Sequence, residues 1–152
     1  MNKIEGMPSL EESIMLAAQY HEGQTDKIGE PYLLHPIRVM LSMVTLVERT
    51  VAILHDVIED TSLMLIDLRE LGYPEIVINA IDAISRRDGE SWDEFINRVA
   101  ENPLATKIKI ADIRDNMSPI RQYSLAPEVR ERLCKKYTIA MEKLQTREIS
   151  RS

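Results

Sequence analysis

The chain has 152 residues, of which 44% are hydrophobic and 29% charged, a balance that fits one folded domain with a real core and excludes wholesale disorder. Its formal net charge of −6 argues against nucleic-acid partners and acidic membranes, which call for a basic face, while leaving room for a small phosphorylated ligand. The lone Cys134 rules out an intrachain disulfide or a cysteine zinc cluster, and with no signal peptide and no apolar run near ~20 residues the expected location is cytoplasmic.

Helical signals dominate from one end to the other. Ser9-Leu10-Glu11-Glu12 reads as a capping box that opens a helix running to about Gly23. The stretch from Gly23 to His35 has loop chemistry, and Pro36 sits where a first-turn proline would, placing His35 at or just before a new helix start. That helix, Ile37 to about Leu46, leads into a second one through Val51-Ala52-Ile53-Leu54-His55-Asp56-Val57-Ile58-Glu59-Asp60-Thr61. Ser62 is placed to cap a helix from Leu63 to Leu71, ended by Gly72, and Pro74 restarts one through about Ile84. Ser91-Trp92-Asp93-Glu94 is a second capping box, for a helix to about Ala100, and Pro103 begins the next, which carries Ala105 to Met117. After a loop from Ser118 to Ala126, Pro127 starts a last amphipathic helix of about twenty residues, with a frayed polar end from Thr146 to Ser152. No window alternates like a strand. The expectation is a single all-α domain over 1–152, with a core of about 9–146 and seven to eight helices.

The His55 segment carries the chemistry. At roughly 100° per residue, one continuous helix puts His55, Asp56, Glu59 and Asp60 within a ~140° arc, opposite an apolar side of Leu54, Val57, Ile58 and Thr61. Ionisable groups gathered against a core point to a cation or a reaction. An adjacent imidazole and carboxylate suit a divalent first-row ion. Asp112 lies in Lys107-Ile108-Lys109-Ile110-Ala111-Asp112-Ile113 and approaches a core, where an unpaired carboxylate is costly and a coordinated one is not. His35 joins as a further donor, and Asn116, one turn after Asp112, is within reach of a substrate. His21 reads as a structural hydrogen-bonding residue. Trp92, Phe95, Met40, Met43 and Met64 read as core, and Arg86-Arg87 as one of the few basic clusters available to a phosphate.

A histidine, then His-Asp, then a distant Asp is the pattern of HD phosphohydrolases. More narrowly, the chain resembles the hydrolase domain of the RelA/SpoT family. The likeness is carried by Ala17-Ala18-Gln19-Tyr20-His21-Glu22-Gly23-Gln24, Gly29-Glu30-Pro31-Tyr32-Leu33-Leu34-His35-Pro36, Leu54 through Thr61, and Lys109-Ile110-Ala111-Asp112 through Asn116-Met117. The resemblance implies an all-helical HD domain that hydrolyses guanosine 3′,5′-bis(diphosphate). It implies one divalent ion, Mn²⁺, on His35, His55, Asp56 and Asp112. It assigns catalysis to Glu59 and Asp60 and a sugar contact to Asn116. Lys27 and Lys109, with Arg86 or Arg87, would neutralise phosphates. With no synthetase domain following, the expectation is a stand-alone hydrolase acting on a small phosphorylated nucleotide, with homo-oligomerisation left open.

One stretch departs from the family. Its Arg-Lys-Ser loop, which helps hold the guanine base, reads Asp26-Lys27-Ile28 here. An anion replaces a stacking cation, and a hydroxyl is lost. Two enzymatic or binding alternatives therefore stand beside the main reading: an HD phosphohydrolase for a different nucleotide or phosphorylated metabolite, and a non-catalytic nucleotide sensor. A helical interaction module with purely surface charges is the third, disfavoured by the apolar neighbours of His55 and Asp112.

Overall fold

The structure is a computed structural model and describes residues 4–152. Its helices are α1 (Leu10–Tyr20), α2 (Leu34–Leu41), α3 (Leu46–Leu54), α4 (Val57–Asp60), α5 (Leu65–Glu70), α6 (Glu75–Ile84), α7 (Trp92–Glu101), α8 (Pro103–Asn116), α9 (Pro119–Gln122) and α10 (Pro127–Arg151). The described residues contain no β-strand; Thr25 and Pro31 form an isolated antiparallel bridge. The fold is all-α, as expected from sequence.

Capping chemistry starts most of these helices where the sequence puts them. The Ser9 and Ser91 side chains accept from the N–H groups of Glu12 and Glu94, whose carboxylates return the favour. A third box, Thr45 with Glu48, starts α3. It ends the preceding helix early, at Leu41, and separates α2 from α3. Pro36 falls inside the first turn of α2, so its missing N–H costs nothing and His35 is helical.

The core is built around α3 and α8. Val51, Ala52, Ile53 and Leu54 are fully buried, and α3 packs on α1, α2, α6 and α8. In α8, Ala105, Thr106, Ile108, Ile110, Ala111, Asp112 and Ile113 are all buried, which leaves that helix little solvent-facing surface. Phe95, Ile96 and Val99 of α7 and Leu144 of α10 complete the cluster. Each large side chain sealed there contributes about 1.5–3 kcal/mol relative to exposure.

Four features differ from expectation. Ten helices stand among the described residues, against seven to eight expected, because α4 and α9 are separate four-residue turns. The expected continuous His55 helix breaks at its functional dipeptide. His55 Nδ1 donates to the Ala52 carbonyl at 2.6 Å, the acceptor that the N–H of Asp56 would need to continue α3, and side-chain entry into the i→i−4 ladder is a known cause of sharp bends. At the other end, α10 stays helical to Arg151 instead of fraying from Thr146. The Arg151 guanidinium reaches the Ala100 carbonyl and ties the last turn to the end of α7. Ser62 is not the cap of α5 either; the Asp67 carboxylate accepts from Met64 N–H at 2.8 Å.

Candidate metal centre

Three parts of the chain bring four donor side chains together: the first turn of α2, the break between α3 and α4, and the middle of α8. His35 Nε2 lies 2.8 Å from Asp112 Oδ1 and 3.7 Å from Asp56 Oδ2. His55 Nε2 lies 3.0 Å from Asp56 Oδ2 and 3.4 Å from Asp112 Oδ1. One ligand atom each from His35, His55 and Asp56 falls within 4.8 Å of the others. Both imidazoles are almost wholly buried, with 2% and 1% of their surface exposed.

The outer nitrogens fix which inner nitrogens are free to bind. His55 Nδ1–H is committed to the Ala52 carbonyl at 2.6 Å, so in the neutral ring Nε2 carries the lone pair. That Nε2 is buried with no hydrogen-bond partner. His35 Nδ1–H donates to Asp115 Oδ2 at 2.6 Å, and Arg38 clamps Asp115 through Nε at 2.7 Å and Nη2 at 3.1 Å. Arg121 Nη1 also sits 2.8 Å from His35 Nδ1. Two N–H donors do not bond to one another, so its hydrogen bonds run to Asn116 Oδ1 and Asp115 Oδ2. A carboxylate behind a histidine is the usual partner of a metal-ligating imidazole.

Charge balance tells the same story. Burial works against ionisation of every group in the cluster, yet their mutual fields win. His55 is driven well above its ordinary range by Asp56 and Asp112, and His35 upward by Asp112 and Asp115. Asp56 is pulled down to about 2 by His55, and Asp112 well down by Lys109 and both imidazoles. Left to itself, the centre captures protons. Positive charge is what it lacks, and a divalent cation on these nitrogens and oxygens supplies it without requiring imidazolium. The donors fit the group.

Further residues steer the cluster. Tyr32 donates its hydroxyl to Asp56 Oδ2. Lys109 Nζ pairs with Asp112 Oδ2 at 2.7 Å, and Asn116 Nδ2 donates to Asp112 Oδ1 at 3.2 Å. Lys109, read from sequence as a phosphate contact, is thus held at a carboxylate of the centre. Glu59 and Asp60 lie on the exposed rim. Glu59 Oε2 accepts from Arg86 N–H at 3.3 Å. Asp60 is pushed up to about 6, first by partial desolvation and then by the charges of Asp56 and Glu59. His21 acts structurally, with Nδ1 2.8 Å from Gln24 Oε1, while Gln24 Nε2 holds the Asp60 carbonyl at 3.0 Å.

Beside the centre is a cavity of about 130 Å³, lined by Asp26, Lys27 and Ile28 on one side and by Asn116, Arg121 and Tyr137 on the other. Asp26 Oδ1 accepts from the N–H groups of Ile28 and Glu30, both at 3.0 Å, and Gly29 supplies the positive φ of 83° that closes the turn. The anion that replaces the family's arginine therefore folds the loop. Asp115 and Tyr32 were missed as functional candidates. Asp115 lies one turn from Asp112, and that i, i+3 spacing is the signal that went unread.

The helical bundle brings His35, His55-Asp56 and Asp112 together in the donor order of the HD class. Within that class the chain resembles the RelA/SpoT family. It is 33% identical over 140 residues to the bifunctional (p)ppGpp synthase/hydrolase SpoT of Escherichia coli, with 83% of this chain and 20% of that protein covered. It is 29% identical over 142 residues to the guanosine-3′,5′-bis(diphosphate) 3′-pyrophosphohydrolase of Vibrio cholerae, with 84% and 20% covered. The chain thus spans about a fifth of the length of these curated relatives. A solved structure of a metazoan ortholog of SpoT, described as hydrolysing ppGpp, superposes with a TM-score of 0.72 at 23% identity over 100% of this chain and 98% of that one. No family model matches the chain.

Proposed function

We propose that the chain is a metal-dependent phosphohydrolase that releases pyrophosphate from the 3′ position of guanosine 3′,5′-bis(diphosphate). The observation that carries this is His55 Nε2, buried without a hydrogen bond and only 3.0 Å from Asp56 Oδ2 and 3.4 Å from Asp112 Oδ1. The similarity to proteins named for that hydrolysis supports the substrate. His35, His55, Asp56 and Asp112 would hold one ion, and we assign it as Mn²⁺. When bound, that ion withdraws charge from the phosphoryl group and acidifies water.

The chain's own residues do the rest. Asp115 and the Ala52 carbonyl hold both imidazoles with Nε2 inward, and Tyr32 fixes the rotamer of Asp56. Asp60, with its affinity for protons raised toward neutrality, takes a proton from the attacking water and returns one to the leaving 3′ oxygen. Glu59, anchored on Arg86 N–H, orients that water. Asn116 faces both Asp112 and the cavity, a place suited to the sugar, and Lys27 offers its charge to phosphate from the cavity wall. We assign the chain to the cytoplasm.

The test is pyrophosphate release by purified protein with Mn²⁺, measured on guanosine 3′,5′-bis(diphosphate) and a nucleotide panel. Release that needs metal and is abolished in Asp56→Ala and Asp60→Asn is expected. Asp56→Ala that keeps both its metal and its turnover overturns the assignment. A second reading follows from Asp26, whose carboxylate is spent on the loop: the base recognised is other than guanine. Turnover of another member of the panel in preference to the guanosine compound would select it.

A further inference from the structure

One contact at the centre works against it. Arg121 Nη1 stands 2.8 Å from His35 Nδ1, a nitrogen whose proton already goes to Asp115 Oδ2 at 2.6 Å. A guanidinium facing an imidazole N–H is repelled by it. The placement is held from elsewhere, since Arg121 donates to Asn116 Oδ1 and, at 3.4 Å, to Asp115 Oδ2. Orienting Asp115 does not require it, because Arg38 grips both oxygens of that carboxylate at 2.7 and 3.1 Å. What Arg121 adds beside the ring is charge, on a side chain only 15% exposed, turned toward residues that would hold a cation.

The same side chain lines the cavity, together with Lys27, Ile28 and Tyr137. Its bonds around the centre all run through Nη1, and among the described residues Nε and Nη2 have no partner. Those N–H groups remain for acceptor atoms of whatever occupies the cavity. Arg121 belongs to α9, a turn that buries none of its residues, so shifting the guanidinium disturbs no core.

We infer that Arg121 is a positioning residue that couples the cavity to the metal centre. With the cavity free, its charge weakens the hold of the centre on its ion. A nucleoside in the cavity draws the guanidinium off His35 and tightens that hold. The inference rests on the phosphohydrolase reading of the centre and adds a regulation of the same site. Once Arg121 has moved, Asp115 serves only His35 and Arg38, and more of its charge supports Nε2 as a donor. Linkage then requires the ion to strengthen nucleoside binding by the same factor. Ion and substrate would therefore be held firmly only as a pair.

Competition with a chelating dye measures Mn²⁺ affinity without turnover. Arg121→Gln keeps an N–H for Asn116 but carries no charge, and it should bind Mn²⁺ about 5- to 10-fold more tightly than wild type, the lower range of ordinary coupling between sites. Arg121→Lys, which keeps the charge, should stay near wild type. A side chain that merely supported the fold would change affinity in the opposite direction when removed. Guanosine, adenosine, cytidine and uridine carry no phosphate to reach the ion, so their effect on Mn²⁺ passes through the protein. At least one of them should tighten Mn²⁺ binding by wild type about 5-fold and leave Arg121→Gln unchanged. Equal or weaker Mn²⁺ binding by Arg121→Gln, at an unchanged melting temperature without metal, overturns the inference. So does a nucleoside effect that is absent from wild type or of the same size in the variant. The wild-type nucleoside titration needs no substitution and decides the matter if Arg121→Gln folds poorly. Wild type that binds no Mn²⁺ sinks the functional reading as well; wild type that binds it as tightly as Arg121→Gln sinks this inference alone.

Discussion

Asp115→Asn isolates the support of the centre from its ligands. The native carboxylate takes His35 Nδ1–H at 2.6 Å and two bonds from Arg38 at 2.7 and 3.1 Å, so it cannot turn away from the ring. Asparagine keeps the shape and one acceptor oxygen but carries no charge. It weakens the basicity that the anion lends to Nε2, and Arg38 then competes for the single oxygen. Changes of this kind behind a metal-bound histidine cost 10- to 100-fold in affinity, or about 1.4–2.7 kcal/mol at 1.36 kcal/mol per decade. Competition of the variant against a chelating dye for Mn²⁺ at pH 7.5 should show that loss, with kcat recovering at saturating metal. Thermal melting of both metal-free proteins separates lost affinity from lost folding. A variant that binds Mn²⁺ within threefold of wild type, at unchanged melting temperature, would refute the claim that Asp115 holds His35 for a cation.

Metal affinity should tighten as pH rises, because His35 and His55 sit above their ordinary range and must shed inner protons to bind; potentiometric titration should record proton release on Mn²⁺ addition. Free Mn²⁺ at 100 times its Kd should add about 2.7 kcal/mol to the unfolding free energy in urea titrations, and His55→Gln should erase most of that gain. Arg98→Met should destabilise the protein by about 2–3 kcal/mol in the same assay. The reason is that Arg98 bonds the carbonyls of Asp82, Ala83 and Ser85 at 2.8–3.2 Å and both oxygens of Glu90. Hydrogen bonds from Arg98 hold the Glu90 carboxyl down to about 2 from its usual 4.5. Its contribution is complete above pH 4.5 and drains away as pH falls toward 2, so the acid limb of wild type should be steeper than that of Arg98→Met.

Much of the fold was legible because local chemistry agreed with global packing. The Ser9 and Ser91 boxes, Pro74, Pro103 and Pro127 act within a turn or two of themselves, and the structure starts helices at each. The Thr45–Glu48 box was equally local and went unread, which displaced the end of α2. What stayed hidden depends on contacts between distant residues. The break at His55 comes from an imidazole taking a carbonyl, and no residue type there announces it, since neither glycine nor proline is present. Asp115 earns its role only because α2 lies against α8, 80 positions away in the chain. Asp26 looked like a lost base contact from sequence; in space it is the residue that folds the loop.

The helix from Pro103 to Asn116 buries half of its fourteen residues in the interior while also carrying Lys109, Asp112, Asp115 and Asn116. Scaffold and chemistry therefore share one rod with no slack between them. An Ile108→Val or Ile113→Val change, unremarkable in an ordinary core, would here tilt or slide a carboxylate that has to meet two imidazoles. Drift of sequence along this segment should thus be felt as altered turnover before it is felt as instability.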